Sequence, residues 1–217
     1  MNRRRDWLDW HSAYDDPHSR LARRLAAVRA RVGELLDAAP PGPLRAVSVC
    51  AGQGRDLIGV LAGHPRGGDV RARLVELDRR NVGLARAAAA EAGLAGVEVI
   101  EGDAGMTDAY AGAVPADLVL VCGVFGNVSD ADIARTVGAL PGLVAAGGAV
   151  VWTRHRDEPD LVPAINGWFA EAGFAPVWLS EKDAGYGVGV HRLVGPPGEL
   201  PPGERLFTFV GRPVRRP

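Results

Sequence analysis

Val47-Ser48-Val49-Cys50-Ala51-Gly52-Gln53-Gly54-Arg55-Asp56 is the stretch whose reading decides the fold of this chain. A short apolar run feeds a turn with two glycines, and Leu57-Ile58-Gly59-Val60-Leu61 follows at once. Strand, Gly-x-Gly turn and helix start together make a place where the backbone can approach a ligand closely. Glycine is needed there because a Cβ would occupy the space the ligand takes. The turn alone is a weak signal, and its weight comes from what surrounds it.

Downstream the pattern alternates. Apolar strand segments are expected at 45–50, 71–77, 97–101, 117–122 and 148–153, with helices at 55–62, 81–92, 106–111, 130–145 and 158–172. Alternation of this kind implies a mostly parallel sheet covered by helices on both faces, a three-layer α/β/α fold. After Phe174 the texture changes. Strand segments at 175–180, 186–193 and 205–210 are separated by turn-rich stretches such as Gly195-Pro196-Pro197-Gly198 and Pro201-Pro202-Gly203. Strands joined without helices pair antiparallel, so the sheet, seven-stranded in all, is expected to end in an antiparallel edge. Either 186–193 or 205–210 supplies the reversed strand.

Upstream lie two helices, a cap over residues 1–43 that precedes the main unit, 44–217. Trp7, Trp10, His11 and Tyr14 share one face of the first. Asp16 is the expected N-cap and Pro17 the first residue of the second, which carries Leu21, Leu25, Val28, Val32 and Leu35 on one side.

Composition excludes several classes. The formal net charge is −1, so no global field holds nucleic acid or an anionic membrane. The basic ends, Arg3 to Arg5 and Arg212 with Arg215 and Arg216, read as solvated tails. Two cysteines, Cys50 and Cys122, both close apolar strands, so no disulfide framework is expected and a reducing cytoplasm fits. No apolar h-region opens the chain and no run is long enough to span a bilayer.

In an open parallel sheet, ligands bind beyond the carboxyl ends of the strands. Those ends are Cys50 to Gly54, Glu76-Leu77-Asp78, Glu101 to Ala104, Cys122 to Asn127, and Thr153 to Asp157. An acid about 20 residues after a Gly-x-Gly turn is placed to take two ribose hydroxyls, and Glu76 is that acid. Asp78 reads as the N-cap of the next helix. A dinucleotide is disfavoured, since the third glycine of its fingerprint is Leu57 here and Asp56 crowds the helix start. Cys50 and Cys122 end neighbouring strands and read as small pocket residues lying side by side; no third ligand has metal spacing.

On these residues, 44–180 resemble the class I S-adenosylmethionine-dependent methyltransferases, whose fold is Rossmann-like. Cys-Ala-Gly-Gln-Gly-Arg is similar to a group of them with a small-small-Gly-x-Gly-Arg motif. The resemblance implies S-adenosyl-L-methionine as cofactor and S-adenosyl-L-homocysteine as product. It also implies that Cys50, Ala51, Gly52 and Gly54 hold the methionine end, Glu76 with Leu77 the ribose, and Asp103 with the Ala104 amide the adenine. The Cys122 to Asn127 segment would flank the methionine end and face the acceptor. Two departures stand out: the usual first-strand acid is Ser48 here, and the usual first glycine is Cys50.

Methyl transfer needs an in-line nucleophile in a dry pocket, and a base only where the acceptor loses a proton. His155 is the candidate base and Tyr14 a second catalytic candidate, with Trp7, Trp10 and Tyr14 available to line an acceptor pocket. The Asp/Asn-Pro-Pro-aromatic motif of amino-directed nucleic-acid methylases is absent; Gly126-Asn127 stands instead. That argues against an exocyclic amine of a base without naming the acceptor; the expectation adopted is a small-molecule acceptor, from a cytoplasmic monomer or homodimer. The alternatives are an RNA or protein methyltransferase, or a protein that binds the cofactor without transferring the methyl.

Overall fold

The computed structural model describes Tyr14 and residues 16–210. Trp7, Trp10, His11 and the basic ends lie outside the described residues, so the short aromatic helix is represented by Tyr14 alone.

Seven strands form one sheet in the order β3-β2-β1-β4-β5-β7-β6. They are β1 (Leu44–Val49), β2 (Val70–Glu76), β3 (Val97–Glu101), β4 (Ala116–Val121), β5 (Val144–His155), β6 (Phe174–Leu179) and β7 (Tyr186–Leu193). The first five pair in parallel, and β7 runs antiparallel between β5 and β6. So 186–193 is the reversed strand. Residues 205–210 are not a strand of the sheet: they make only two isolated bridges, Met106 with Arg205 and Val128 with Phe209.

The helices are α1 (Arg20–Ala38), α2 (Leu57–Leu61), α3 (Arg79–Glu91), α4 (Asp130–Ala139) and α5 (Val162–Glu171). One apolar layer joins Val28, Val32 and Leu36 of α1, Leu57 and Leu61 of α2, and Val82 and Ala85 of α3 to Ala46, Leu74 and Leu120 of the sheet. The opposite layer joins Ile133 and Val137 of α4 and Ile165 and Phe169 of α5 to Val47, Val49, Val119 and Val121. Alternate strand residues thus serve alternate faces, giving the three layers. Leu206 and Phe207 are buried in that second layer.

Three local expectations change. The N-cap of α1 is Ser19, whose hydroxyl accepts from the Ala22 N–H at 2.9 Å, not Asp16. Asp16 instead turns the chain, its side chain accepting from the His18 N–H and its carbonyl from the Ser19 N–H. The expected helix at 130–145 stops at Ala139, where Leu140-Pro141-Gly142 forms a single tight turn, and β5 then starts at Val144 rather than 148. Pro141 supplies the reason: it has no N–H to continue an α-helix. The helix at 106–111 is reduced to a 3-10 turn, Thr107–Tyr110.

Trp152 of β5 is fully buried, stacked at 5.9 Å on Phe169. Its indole fits because β7 has no side chain at Gly189, where a Cβ would fall 2.4 Å from the ring.

Candidate active site

The turn after β1 is set by backbone bonds. The Ala51 N–H donates to Val75 at 2.9 Å, and the Ala51 carbonyl accepts from the Gly54 N–H at 2.9 Å. Gly52 and Gly54 have φ of 56° and 69°, the left-handed region that favours glycine. At Gly54 a Cβ would also strike the Ile58 side chain at 2.5 Å.

Glu76 ends β2 with its carboxylate nearly buried, 9% exposed. One oxygen accepts from the Gly52 N–H at 2.8 Å and the other from the Asp78 N–H at 2.7 Å. Each oxygen keeps a lone pair for a ligand hydroxyl. Leu77 beside it is 69% exposed, an apolar side chain held in the open. Asp78 caps α3 through the Arg80 N–H, as its spacing predicts.

Asp103 follows β3. One of its oxygens accepts from the Gly105 N–H at 2.9 Å, and the other pairs with Arg205 at 3.1 Å. The buried Ala104 gives its carbonyl to the Tyr110 hydroxyl at 2.5 Å. Cys50 lies among these groups: burial pushes its thiol well up, and the charges of Glu76 and Asp103 add to that. The tips of β1, β2 and β3 therefore share one rim.

Cys50 and Cys122 do not lie side by side on one face. Ser48 registers with Leu120, so the two cysteines extend matched strands, yet Cys50 packs with the α4/α5 layer and Cys122 with the α1/α2/α3 layer. The cause is the Cys50 backbone, at φ 53°, which reverses the alternation at the strand end.

Beyond β4, the Cys122 thiol donates to the Val151 carbonyl at 3.9 Å and feels the charge of Asp56, the last residue of the glycine turn. Burial and then the Asp56 charge hold this thiol well above its usual range. Neither thiol is a ready thiolate at neutral pH. Tyr14 reaches the same point. Burial raises its hydroxyl, Arg24 opposes the rise by charge and hydrogen bond, and Asp56 and Cys122 add to it. The Arg55 guanidinium sits 5.5 Å over the Tyr14 ring.

The loop from Cys122 to Asn127 is braced from β5. The Thr153 hydroxyl accepts from the Gly123 N–H at 2.8 Å, and buried Arg154 donates to the Phe125 carbonyl. Asn127 turns its side-chain amide back to the Gly123 carbonyl at 2.6 Å and gives its own carbonyl to the Val210 N–H. His155 is half-buried against Gly126, with Nδ1 3.7 Å from Asp157. Reading the sequence missed Asp56 as the neighbour of Cys122, Thr153 and Arg154 as braces, and Arg205 as the partner of Asp103. For the braces a signal exists: Thr153-Arg154 interrupts an otherwise apolar strand. Arg205 has none, because its partner is distant in sequence.

No protein-family model and no curated protein sequence matches this chain. Solved structures do. An O-methyltransferase family protein from Burkholderia thailandensis superposes with a TM-score of 0.57 at 22% identity, over 82% of this chain and 60% of that one. An RNA methyltransferase from Salinibacter ruber, in complex with S-adenosyl-L-homocysteine, gives 0.53 at 23% identity, over 81% of this chain and 94% of that one. The [4+2]-cyclase SpnF gives 0.55 at 16% identity, over 77% and 82%. This chain thus spans 60% of the length of the first of these. The likeness establishes the fold, that of the class I methyltransferases, and its seven-stranded order with one reversed strand.

Proposed function

We propose that this chain binds S-adenosylmethionine at the rim formed by β1, β2 and β3 and transfers its methyl group to a small molecule. The observation that carries the reading is Glu76: a nearly buried carboxylate, oriented by the N–H groups of Gly52 and Asp78, with lone pairs to spare beside the open side chain of Leu77. A vicinal diol is the ligand feature such a carboxylate matches. A purine beyond it would meet Leu77, Asp103 and Ala104.

When bound, the cofactor would supply an electrophilic methyl on sulfur. The protein's part is then placement and exclusion of water, worth up to about 7–11 kcal/mol in well-oriented systems. Gly52 and Gly54 leave room for the methionine end, and Cys122 with the Thr153-braced loop walls the acceptor side. Tyr14, held protonated, would donate a hydrogen bond there. His155 would take a proton from an acceptor that must lose one. A net charge of −1 favours a small acceptor over a nucleic acid.

Titration calorimetry with S-adenosylhomocysteine tests the reading. The wild type is expected to bind, and Glu76→Ala to bind about tenfold or more weakly, since hydrogen bonds to a charged group are lost. Wild-type protein that gives no heat, or undiminished binding by Glu76→Ala, would count against it. Formation of S-adenosylhomocysteine with a small-molecule fraction of a cell extract separates catalysis from binding alone.

A further inference from the structure

The last strand of the sheet ends at Leu193, yet the chain returns to the rim. Residues 204–210 form an extended strap against the loops that follow β3 and β4. Beside β3 its hold is through backbone. The Thr107 N–H donates to the Glu204 carbonyl at 3.0 Å, and the Leu206 N–H to the Gly105 carbonyl at 2.8 Å. Leu206 and Phe207 are buried. The fit is close: a Cβ at Gly105 would fall 2.5 Å from the Phe207 carbonyl oxygen, 3.1 Å from an Asp103 carboxylate oxygen and 3.4 Å from Nη1 of Arg205.

Arg205 joins this strap to Asp103. Its Nη1 donates to one Asp103 oxygen at 3.1 Å and to the Phe207 carbonyl at 3.4 Å, so the guanidinium is tied to its own strap while it holds the carboxylate. The other Asp103 oxygen accepts from the Gly105 N–H at 2.9 Å. One bond on each oxygen, from two separate segments of chain, fixes the direction of the carboxylate and leaves each oxygen a lone pair. Glu76 is oriented in the same way, by the Gly52 and Asp78 N–H groups.

Stability is not what this pair supplies. The Arg205 and Asp103 side chains are 48% and 45% exposed, and an exposed ion pair contributes little to folding. Backbone bonds and two buried side chains hold the strap without it. What the pair governs is the freedom of Asp103. Without Arg205, one oxygen faces water and a ligand would have to order the side chain on binding.

We propose that Arg205 is a positioning residue for purine recognition, fixing Asp103 as the acceptor for the 6-amino group of the cofactor's adenine. The inference rests on the S-adenosylmethionine reading above and adds to it a residue from outside the sheet. Asp103 follows β3 on the rim where Glu76 would take the ribose, and the base attached to that ribose lies past Leu77. The strap thereby sets how strongly the site prefers an amino group at that position.

Arg205→Met keeps much of the side chain's length and removes the guanidinium. Calorimetry with two ligands tests the assignment: S-adenosylhomocysteine, and its analogue with hydrogen in place of the 6-amino group. The wild type is expected to prefer S-adenosylhomocysteine about tenfold, the worth of one hydrogen bond to a charged acceptor. In Arg205→Met that preference should shrink to about threefold or less, with the analogue bound within about twofold of wild type, because only the ordering of Asp103 is lost. A preference that stays near tenfold in the variant, whether both affinities hold or fall together, overturns the assignment and leaves Arg205 a structural tie. The readout is a ratio, so a loosened strap cannot imitate the expected result. Asp103→Ala should abolish the preference, and Arg205→Met added to it should change nothing further; an additional loss of preference would mean that Arg205 does not act through Asp103, and also overturns it. A wild type that binds neither ligand defeats the cofactor reading and this inference with it. A wild type that binds both equally leaves the cofactor reading standing and defeats this inference alone.

Discussion

Cys50 shows what one backbone angle does. It is the one non-glycine residue with positive φ among the described residues, at 53°, and it occupies the position where the resemblance leads one to expect glycine. That angle crowds an L side chain, at about 1–2 kcal/mol, and the crowding grows when the Cβ is branched. Cys50→Val is therefore expected to lower unfolding stability by about 1–3 kcal/mol in urea titrations. Cys50→Gly should stay within about 1 kcal/mol of wild type, because relief of the angle offsets glycine's entropy cost. A valine variant as stable as wild type would mean the angle carries no strain. The cysteine itself was legible as a small residue at a strand end. Its direction was not, since alternation predicts the opposite face and only the φ angle reverses it. Glu76 and Asp78 were legible because their roles follow from spacing and chain direction. Asp56 was read only as an obstacle to pyrophosphate, because its closeness to Cys122 joins residues far apart in sequence.

At the level of elements, alternation of apolar runs sufficed for five parallel strands and their crossovers, since each run is bounded by turn residues. Short segments defeated it. Residues 205–210 have the apolar content of a strand, yet they cross outside the sheet and bind loops. The Thr107 N–H donates to the Glu204 carbonyl, the Leu206 N–H to the Gly105 carbonyl, and the Val210 N–H to the Asn127 carbonyl. This strap ties the loop after β3 to the loop after β4. Its Leu206 and Phe207 fill the layer beside Tyr110, where the crossover between β3 and β4 is only a 3-10 turn. Periodicity cannot distinguish such a strap from a strand, because both are extended. Phe207→Ala is expected to cost about 3–5 kcal/mol, the range for truncating a buried phenylalanine. The measurement is the urea midpoint, with the m-value checked for constancy. A loss under about 1 kcal/mol, typical of surface positions, would show that the strap packs weakly against the sheet.

For the molecule as a whole, stability against acid is set by groups whose proton affinity changes on folding. His191 of β7 is one such group near neutrality. Its imidazole is buried, stacked at 4.3 Å on Phe169, with Nδ1 accepting from the Trp152 indole N–H at 3.0 Å. Burial lowers its pKa from 6.5 to about 4. The unfolded chain thus takes up this proton first as pH falls. Stability supplied by the neutral imidazole is complete above pH 6.5 and drains away toward pH 4, by about 3 kcal/mol at 1.36 kcal/mol per pH unit. Asp132 and Asp160 act in the same direction but at lower pH. Burial opposes their ionisation, yet the Thr208 N–H with Arg135, and the Val162 N–H with Arg156, hold the two carboxyls below the usual range. Their contribution is lost only as pH falls below the ordinary carboxylate pKa, so the two windows separate. His191→Gln retains an acceptor for the indole N–H and has nothing to titrate. Urea unfolding at pH 7.5, 5.5 and 4.5 should show the wild type losing stability across the series and the variant holding a nearly flat line. If the two slopes coincide, the acid sensitivity belongs to groups other than His191, and the aromatic cage under α5 tolerates an imidazolium.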